Sequence, residues 1–198
     1  MASLDLTQDV VALTESVCNI ESVSLDEKNL ADAIEAELAT LDHLDVVRDG
    51  NTIVARTNLG RDERIVLAGH IDTVPLTKDP ANLPVKRVGG KLHGRGTTDM
   101  KGGVACMLMA VEILKEIGAE LKGDVVFTTV VDEEIGGMGS LAMVDRGFCA
   151  DAGIMTEPTA NRIAPLCHGI LWGRIVIDGI GGHAELTPNA WYAGGPVD

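Results

Sequence analysis

Apolar residues recur at helical spacing twice near the start of the chain. Leu6, Val10, Leu13, Val17 and Ile20 predict a first amphipathic helix, and Leu30, Ile34, Leu38 and Leu41 stripe a second. Ser24 and Glu27, three residues apart ahead of the second stripe, have the capping-box signature. The period then shortens to that of strands. Val46-Val47, Asp49-Gly50 and Thr52-Ile-Val54 predict a β-hairpin. Ile65 to Ala68 is an apolar run that reads as a buried strand ended by Gly69, with His70 and Asp72 directly after it. A polar, proline-bearing connection from Lys78 to Pro84 leads to a second hairpin, Val85 to Leu92, around Gly89-Gly90.

Gly94 to Gly103 (Gly-Arg-Gly-Thr-Thr-Asp-Met-Lys-Gly-Gly) is a glycine-rich loop ahead of a helix carrying Val104, Leu108, Val111 and Leu114, with Gly118 as its stop. The loop has neither Gly-Lys-Ser/Thr nor dinucleotide-fingerprint spacing, so it presents Asp99 at a helix mouth rather than cradling phosphate. A second buried strand, Asp124 to Val131, ends in Asp132-Glu133-Glu134-Ile-Gly-Gly. A short helix, Ser140 to Arg146, is followed by Ala152-Gly-Ile-Met-Thr-Glu157-Pro158, again strand then carboxylate. From Ile170 the texture changes: Leu171 to Asp178 alternates like a half-exposed strand, and Gly-Gly-His183-Ala follows. Strands alternating with helices, with imidazole or carboxylate at strand ends, predict an α/β protein: a three-layer α/β/α sandwich over residues 1–170. Residues 171–198 read as the start of a second, α+β domain.

Composition narrows the class. The 198 residues are 45% hydrophobic and 23% charged, as in a soluble globular protein, and only 3% aromatic, so the core must be aliphatic. No apolar run approaches the roughly 20 residues of a membrane span. The acidic N-terminus lacks the basic start and apolar stretch of a signal peptide, so a cytoplasmic protein is expected. Cys18, Cys106, Cys149 and Cys167 are dispersed, which argues against a thiolate zinc site. A formal net charge of −14 argues against nucleic acid and anionic membranes as partners.

Most of those carboxylates belong in water, but His70, Asp72, Asp99, Glu133, Glu134 and Glu157 sit on four loops at strand ends or helix mouths. His70 and Asp72 alone fit an ordinary hydrogen-bonded pair, and Asp132-Glu133-Glu134 fits an exposed acidic turn. Together they offer the mixed imidazole and carboxylate donors that suit Zn²⁺, Mn²⁺ or Co²⁺, and one carboxylate can bridge two ions.

Gly-His70-Ile-Asp72-Thr-Val-Pro, Gly-Arg-Gly-Thr-Thr-Asp99-Met-Lys-Gly-Gly, Asp-Glu133-Glu134-Ile-Gly-Gly, Thr-Glu157-Pro-Thr and Gly-Gly-His183-Ala, in that order, resemble the acetylornithine deacetylase/succinyl-diaminopimelate desuccinylase family. These are dinuclear zinc amidohydrolases related to aminoacylase. The resemblance implies that His70 and Glu157 hold one zinc, Glu134 the other, and that Asp99 bridges them. It makes Asp72 the group that orients His70, Glu133 the general base, and His183 a lid-domain histidine that steadies the oxyanion in a neighbouring subunit. It also implies a cis Asp99–Met100 bond, a homodimer assembled through the lid domain, and an N-acyl amino acid or short peptide as substrate. The family's second metal takes a further histidine near the end of a chain roughly twice this length. His43, His93 and His168 match no such motif. The expectation is therefore the N-terminal part of such an enzyme, binding about one zinc tightly and turning over poorly alone. Two other readings remain open: a dipeptidase or aminopeptidase of the same fold, and a non-catalytic fragment used for binding or assembly.

Overall fold

Strand order decides where the loops meet. In the computed structural model, which describes residues 3–78, 81–166, 169, 171 and 173–176, a five-stranded sheet runs β1-β2-β6-β3-β7. Its strands are β1 (Asp45–Asp49), β2 (Thr52–Arg56), β3 (Arg64–His70), β6 (Asp124–Val130) and β7 (Ala152–Met155). β1, β2 and β6 pair antiparallel in turn, while β6, β3 and β7 are parallel. The second hairpin, β4 (Lys86–Val88) with β5 (Lys91–His93), forms a separate two-stranded sheet turned by Gly89 and Gly90 at positive φ, the backbone such a two-residue turn requires.

Helices α1 (Val10–Asn19), α2 (Lys28–Leu38) and α3 (Lys101–Glu116) cover one face of the main sheet, and α4 (Met138–Asp145) packs on the other. The first core joins Leu13, Val17, Leu30, Ile34, Val104 and Leu108 to Ile53, Ala55 and Phe127 of the sheet. The second is small: Val54, Val126 and Val130 under Met143 of α4. Phe127 is the one aromatic side chain buried in these cores among the described residues, and the rest is aliphatic with methionine, as composition requires.

Three local readings are corrected. Asp9 caps α1, its Oδ1 accepting from the amides of Val11 (2.9 Å) and Ala12 (3.1 Å). Leu6 therefore precedes the helix and Val10 is exposed, leaving Leu13, Thr14, Val17 and Cys18 as the buried face. The capping box does not form: Glu27 itself occupies the N-cap of α2 with no side-chain cap, its Oε1 accepting from the Leu25 amide, while the Ser24 hydroxyl goes elsewhere. Strand β3 does not end at Gly69 but runs on through His70, paired with Val130. A Cβ on Gly69 would lie 2.6 Å from Cε of Met100, so this glycine admits a close neighbour rather than breaking the strand.

The chain divides into two compact units, Met1–Asn161 and Arg162–Asp198. All named elements lie in the first. Of the strand expected over Leu171–Asp178, residues 171 and 173–176 are described and carry no strand; the remainder, with His168 and His183, lies outside the described residues. Among the described residues no helix is long and apolar enough to cross a membrane.

Candidate metal centre

The parallel strands β3, β6 and β7 run together and end together, and each delivers chemistry from its C-terminal end. β3 supplies His70 as its last residue, β6 leads into Glu133 and Glu134, and β7 into Glu157. Asp99 arrives from the other direction, at the mouth of α3, through a cis Asp99–Met100 peptide bond.

Donor atoms of His70, Asp99 and Glu134 all lie within 4.8 Å of one another. Nε2 of His70 is 3.1 Å from Oδ1 of Asp99, 3.7 Å from Oε1 of Glu157 and 3.8 Å from Oε2 of Glu133. Four carboxylate residues, the last of them 87 positions along the chain, thus gather around one imidazole. The ring is buried, whereas the side chains of Asp99 and Glu133 are about half exposed (53% and 49%), so the cluster opens to solvent on the carboxylate side.

The second ring nitrogen fixes the tautomer. Nδ1 of His70 donates to the backbone carbonyl of Asp72 at 3.0 Å, with Oδ1 of the same residue 3.4 Å away. Nε2 therefore faces the carboxylates with either a proton or a lone pair. The orienting group is the main chain of Asp72 as much as its carboxylate. That carboxylate is fully buried and is occupied largely by the amides of Glu133 and Glu134, both at 3.2 Å, and by the Ser24 hydroxyl at 2.8 Å. The backbone amide of His70 points to Sδ of Met100 at 3.2 Å, tying the β3 end to the Asp99 loop.

Electrostatics tests whether a cation fits. Burial alone would depress His70, but the hydrogen bond and charge of Asp72, with Glu157 and Glu133, hold it at about 9. Burial pushes Glu134 up, and the charge of Asp99 adds to it; burial also raises Glu157, with Asp99, Glu133 and Glu134 opposing the help of His70. Burial would raise Asp72 too, yet hydrogen bonds from His70, Ser24 and the two amides keep it below its ordinary value. One imidazolium cannot offset so many carboxylates at this range. A divalent cation among them would relieve that repulsion, and imidazole nitrogen with carboxylate oxygen is the donor set such ions take. The residues fit the group.

Three residues near the site were not picked out by sequence reasoning. Ser24 carried a local signal that pointed to another role. Met100 carried none. Lys101 is almost wholly buried, and its Nζ donates to the carbonyl of Ile20 (2.7 Å), the residue that ends α1. Burial lowers this lysine to about 8, with the charges of Cys18 and Glu21 opposing. Of the other histidines, His43 bonds the Val111 carbonyl through Nε2 (3.1 Å) and His93 is exposed at the end of β5.

Fold and site together define a class: an α/β protein arranged to hold a divalent cation at the ends of its parallel strands. Within that class the chain belongs to peptidase family M20/M25/M40, whose model matches residues 66–187. It is 35% identical over 204 residues to the succinyl-diaminopimelate desuccinylase of Corynebacterium glutamicum, covering 98% of this chain and 54% of that protein. The M20 family metallo-carboxypeptidase Sso-CP2 of Sulfolobus solfataricus shares the fold with a TM-score of 0.65 at 18% identity, over 76% of this chain and 37% of that one. A tripeptidase of Staphylococcus aureus does so with a TM-score of 0.64 at 24% identity, over 78% and 44%. The chain spans about half the length of the curated relatives it matches.

Proposed function

We propose that the chain is the metal-binding part of a zinc-dependent amidohydrolase that cleaves the amide of an N-acyl amino acid, of the succinyl-diaminopimelate desuccinylase or acetylornithine deacetylase type. The observation that carries this is the convergence of His70, Asp99 and Glu134 within 4.8 Å, with Glu133 beside them. The desuccinylase relative from C. glutamicum supports the substrate class.

In this reading His70, Asp99 and Glu157 would hold one zinc and Glu134 with Asp99 a second; Co²⁺ or Mn²⁺ would suit the same donors. The metal, when bound, lowers the pKa of water toward ~7 and polarises the acyl carbonyl. Asp72 keeps the Nδ1 proton of His70 engaged so that Nε2 stays directed at the carboxylates. Glu133, half exposed and adjacent to the donors, takes the proton of the attacking water and gives it to the leaving amine nitrogen. His183 steadies the oxyanion. Residues 1–170 form the catalytic part, and residues from 171 begin a lid through which two copies of a cytoplasmic enzyme pair. That pairing and the role of His183 rest on resemblance.

The test has two arms. Zinc titration of the chain should show about one tightly bound ion, abolished by His70→Ala. The longest natural polypeptide carrying this chain should then hydrolyse succinyl-diaminopimelate or acetylornithine in a zinc-dependent way. Zinc binding unaffected by His70→Ala overturns the site, and hydrolysis of dipeptides alone moves the assignment to the peptidases.

A further inference from the structure

The Asp72 carboxylate is the point at which three separate segments meet. Its Oδ1 accepts from the Glu133 amide and faces Nδ1 of His70; its Oδ2 accepts from the Glu134 amide and the Ser24 hydroxyl. A carboxylate offers about four lone-pair positions; here three accept hydrogen bonds and the fourth side faces Nδ1 of His70 at 3.4 Å. The two amides point the same way because Asp132, just before them, has φ 63°, while its carbonyl gathers the amides of Ile135, Gly136 and Gly137. Successive amides turned inward around a left-handed residue form an anion-binding concavity, and the anion is Asp72.

Ser24 is the only one of these donors that belongs neither to the His70 loop nor to the Glu133–Glu134 loop. It comes from the connection between α1 and α2, which is stitched alongside residues 71–73. The Thr73 amide donates to the Ser22 carbonyl (2.9 Å), the Ser24 amide to the Thr73 carbonyl (3.1 Å), and the Ser22 hydroxyl to the Ile71 carbonyl (2.5 Å). The backbone stitching holds this segment in place whatever residue 24 carries, and the hydroxyl, only 3.5 Å from the Thr73 carbonyl, gives its short bond to Asp72.

We infer that Ser24 is a positioning residue: its hydroxyl fixes the rotamer of Asp72, and Asp72 in turn holds the Glu133–Glu134 backbone at its distance from His70. The role deepens the metal-site reading and rests on it for its consequence, though not for its geometry. Without the hydroxyl, Oδ2 of a fully buried carboxylate has an empty lone-pair position, and Asp72 can turn away from the amides to fill it. The Glu133 and Glu134 side chains then lose their fixed origin.

Amide hydrogen exchange on the metal-free chain reads the first step without any metal. Ser24→Ala should speed exchange at Glu133 and Glu134 by about fivefold or more, leaving the amides of β6 unchanged. Ser24→Thr, which keeps the hydroxyl, should restore protection. If Ser24→Ala fails to fold, the equally shaped pair Ser24→Thr and Ser24→Val carries the comparison. Zinc titration reads the second step: affinity should fall roughly tenfold in Ser24→Ala, at the lower end for groups that orient ligands through another residue, and recover in Ser24→Thr. Unchanged exchange at both amides overturns the inference whatever the zinc result. Faster exchange with undiminished zinc affinity overturns it as well, reducing Ser24 to a structural contact. A wild-type chain that binds no zinc refutes the metal reading instead, and the exchange comparison alone then decides the link from Ser24 to Asp72.

Discussion

Gly103 lies in the first turn of α3, four residues after Asp99, and its missing side chain sets how closely that helix approaches the loop carrying Glu157. A Cβ built there would fall 2.6 Å from Oγ1 and 2.8 Å from Cβ of Thr156, and would overlap the Thr156 carbonyl oxygen outright. Ordinary contact begins at 3.4 Å, so Gly103→Ala must part the helix and the Thr156 segment by at least about 0.8 Å, the difference from the Oγ1 distance, the carbonyl oxygen being closer still. The carbonyl cannot swing aside freely, because the Thr156 amide is bonded to Ala68 of β3 (3.3 Å). Overpacking of this kind costs about 1–3 kcal/mol, and alanine returns about 1 kcal/mol over glycine inside a helix. The net loss is about 0–2 kcal/mol, which at 2–4 °C per kcal/mol for a chain of this size lowers Tm by at most about 8 °C. The site is far less tolerant. Metal–ligand distances hold to about ±0.2 Å, and the separation falls between the residues that bring together Asp99 and Glu157, the two carboxylates proposed to share a zinc with His70. Zinc affinity should therefore drop by at least tenfold while the fold survives. Urea unfolding and zinc titration of the same sample measure both. A Gly103→Ala chain that is about 1 kcal/mol more stable than wild type and binds zinc equally well would show that the Thr156 loop yields, and that close helix approach does not set the site.

Adjacent carboxylates should separate by role: Glu133→Gln keeps zinc and loses nearly all turnover in an active polypeptide, whereas Glu134→Gln weakens zinc binding, and equal zinc loss in both refutes the assignment. His70, raised to about 9 from 6.5, stabilises the metal-free fold fully below pH 6.5 and stops doing so as pH rises through 9. Each tenfold gain in proton affinity is worth about 1.4 kcal/mol, so this contributes at most about 3–4 kcal/mol. It is read as a fall in the urea midpoint between about pH 6 and pH 9.5 in chelator, absent in His70→Ala. Phe127, fully buried between the sheet and the α1–α3 layer, should cost about 3–5 kcal/mol on replacement by alanine, measured by urea unfolding.

The elements legible in the sequence were those whose signal is local. Asp49-Gly50 and Gly89-Gly90 marked the hairpins because their glycines, Gly50, Gly89 and Gly90, take the positive φ that few other residues accept, although Asp49 itself ends β1 paired with Thr52. Asp124 to Val131 read as a strand, observed as Asp124–Val130, because an apolar run buried on both faces has no other use for so many β-branched residues. What misled was chemistry with two partners to choose from. Ser24 has the right type and spacing for a helix cap, but a buried carboxylate 48 residues away holds its hydroxyl, as charge strengthens that bond beyond one to a neutral amide. Gly69 resembles a strand breaker, and the methionine that explains it lies 31 residues on. In both cases the competing partner is set by topology, which no window of neighbouring residues contains.

The site itself was legible as a set of residues but not as a geometry. His70, Glu134 and Glu157 each announced themselves as polar groups following an apolar strand, yet sequence order leaves open which strands are neighbours. The sheet resolves this by exclusion. One edge of β6 is taken by β2, which enters antiparallel as the second arm of the first hairpin. β3 occupies the other edge. A parallel β7 arriving after α4 finds its open partner on the far side of β3, where Ala68 pairs with Met155. Glu157 then stands two residues beyond that pair and His70 two beyond Ala68, so the last carboxylate of the cluster lands 3.7 Å from its imidazole. The hairpin β1–β2, which contributes no donor atom to the cluster, closes the alternative edge and so determines which residues meet.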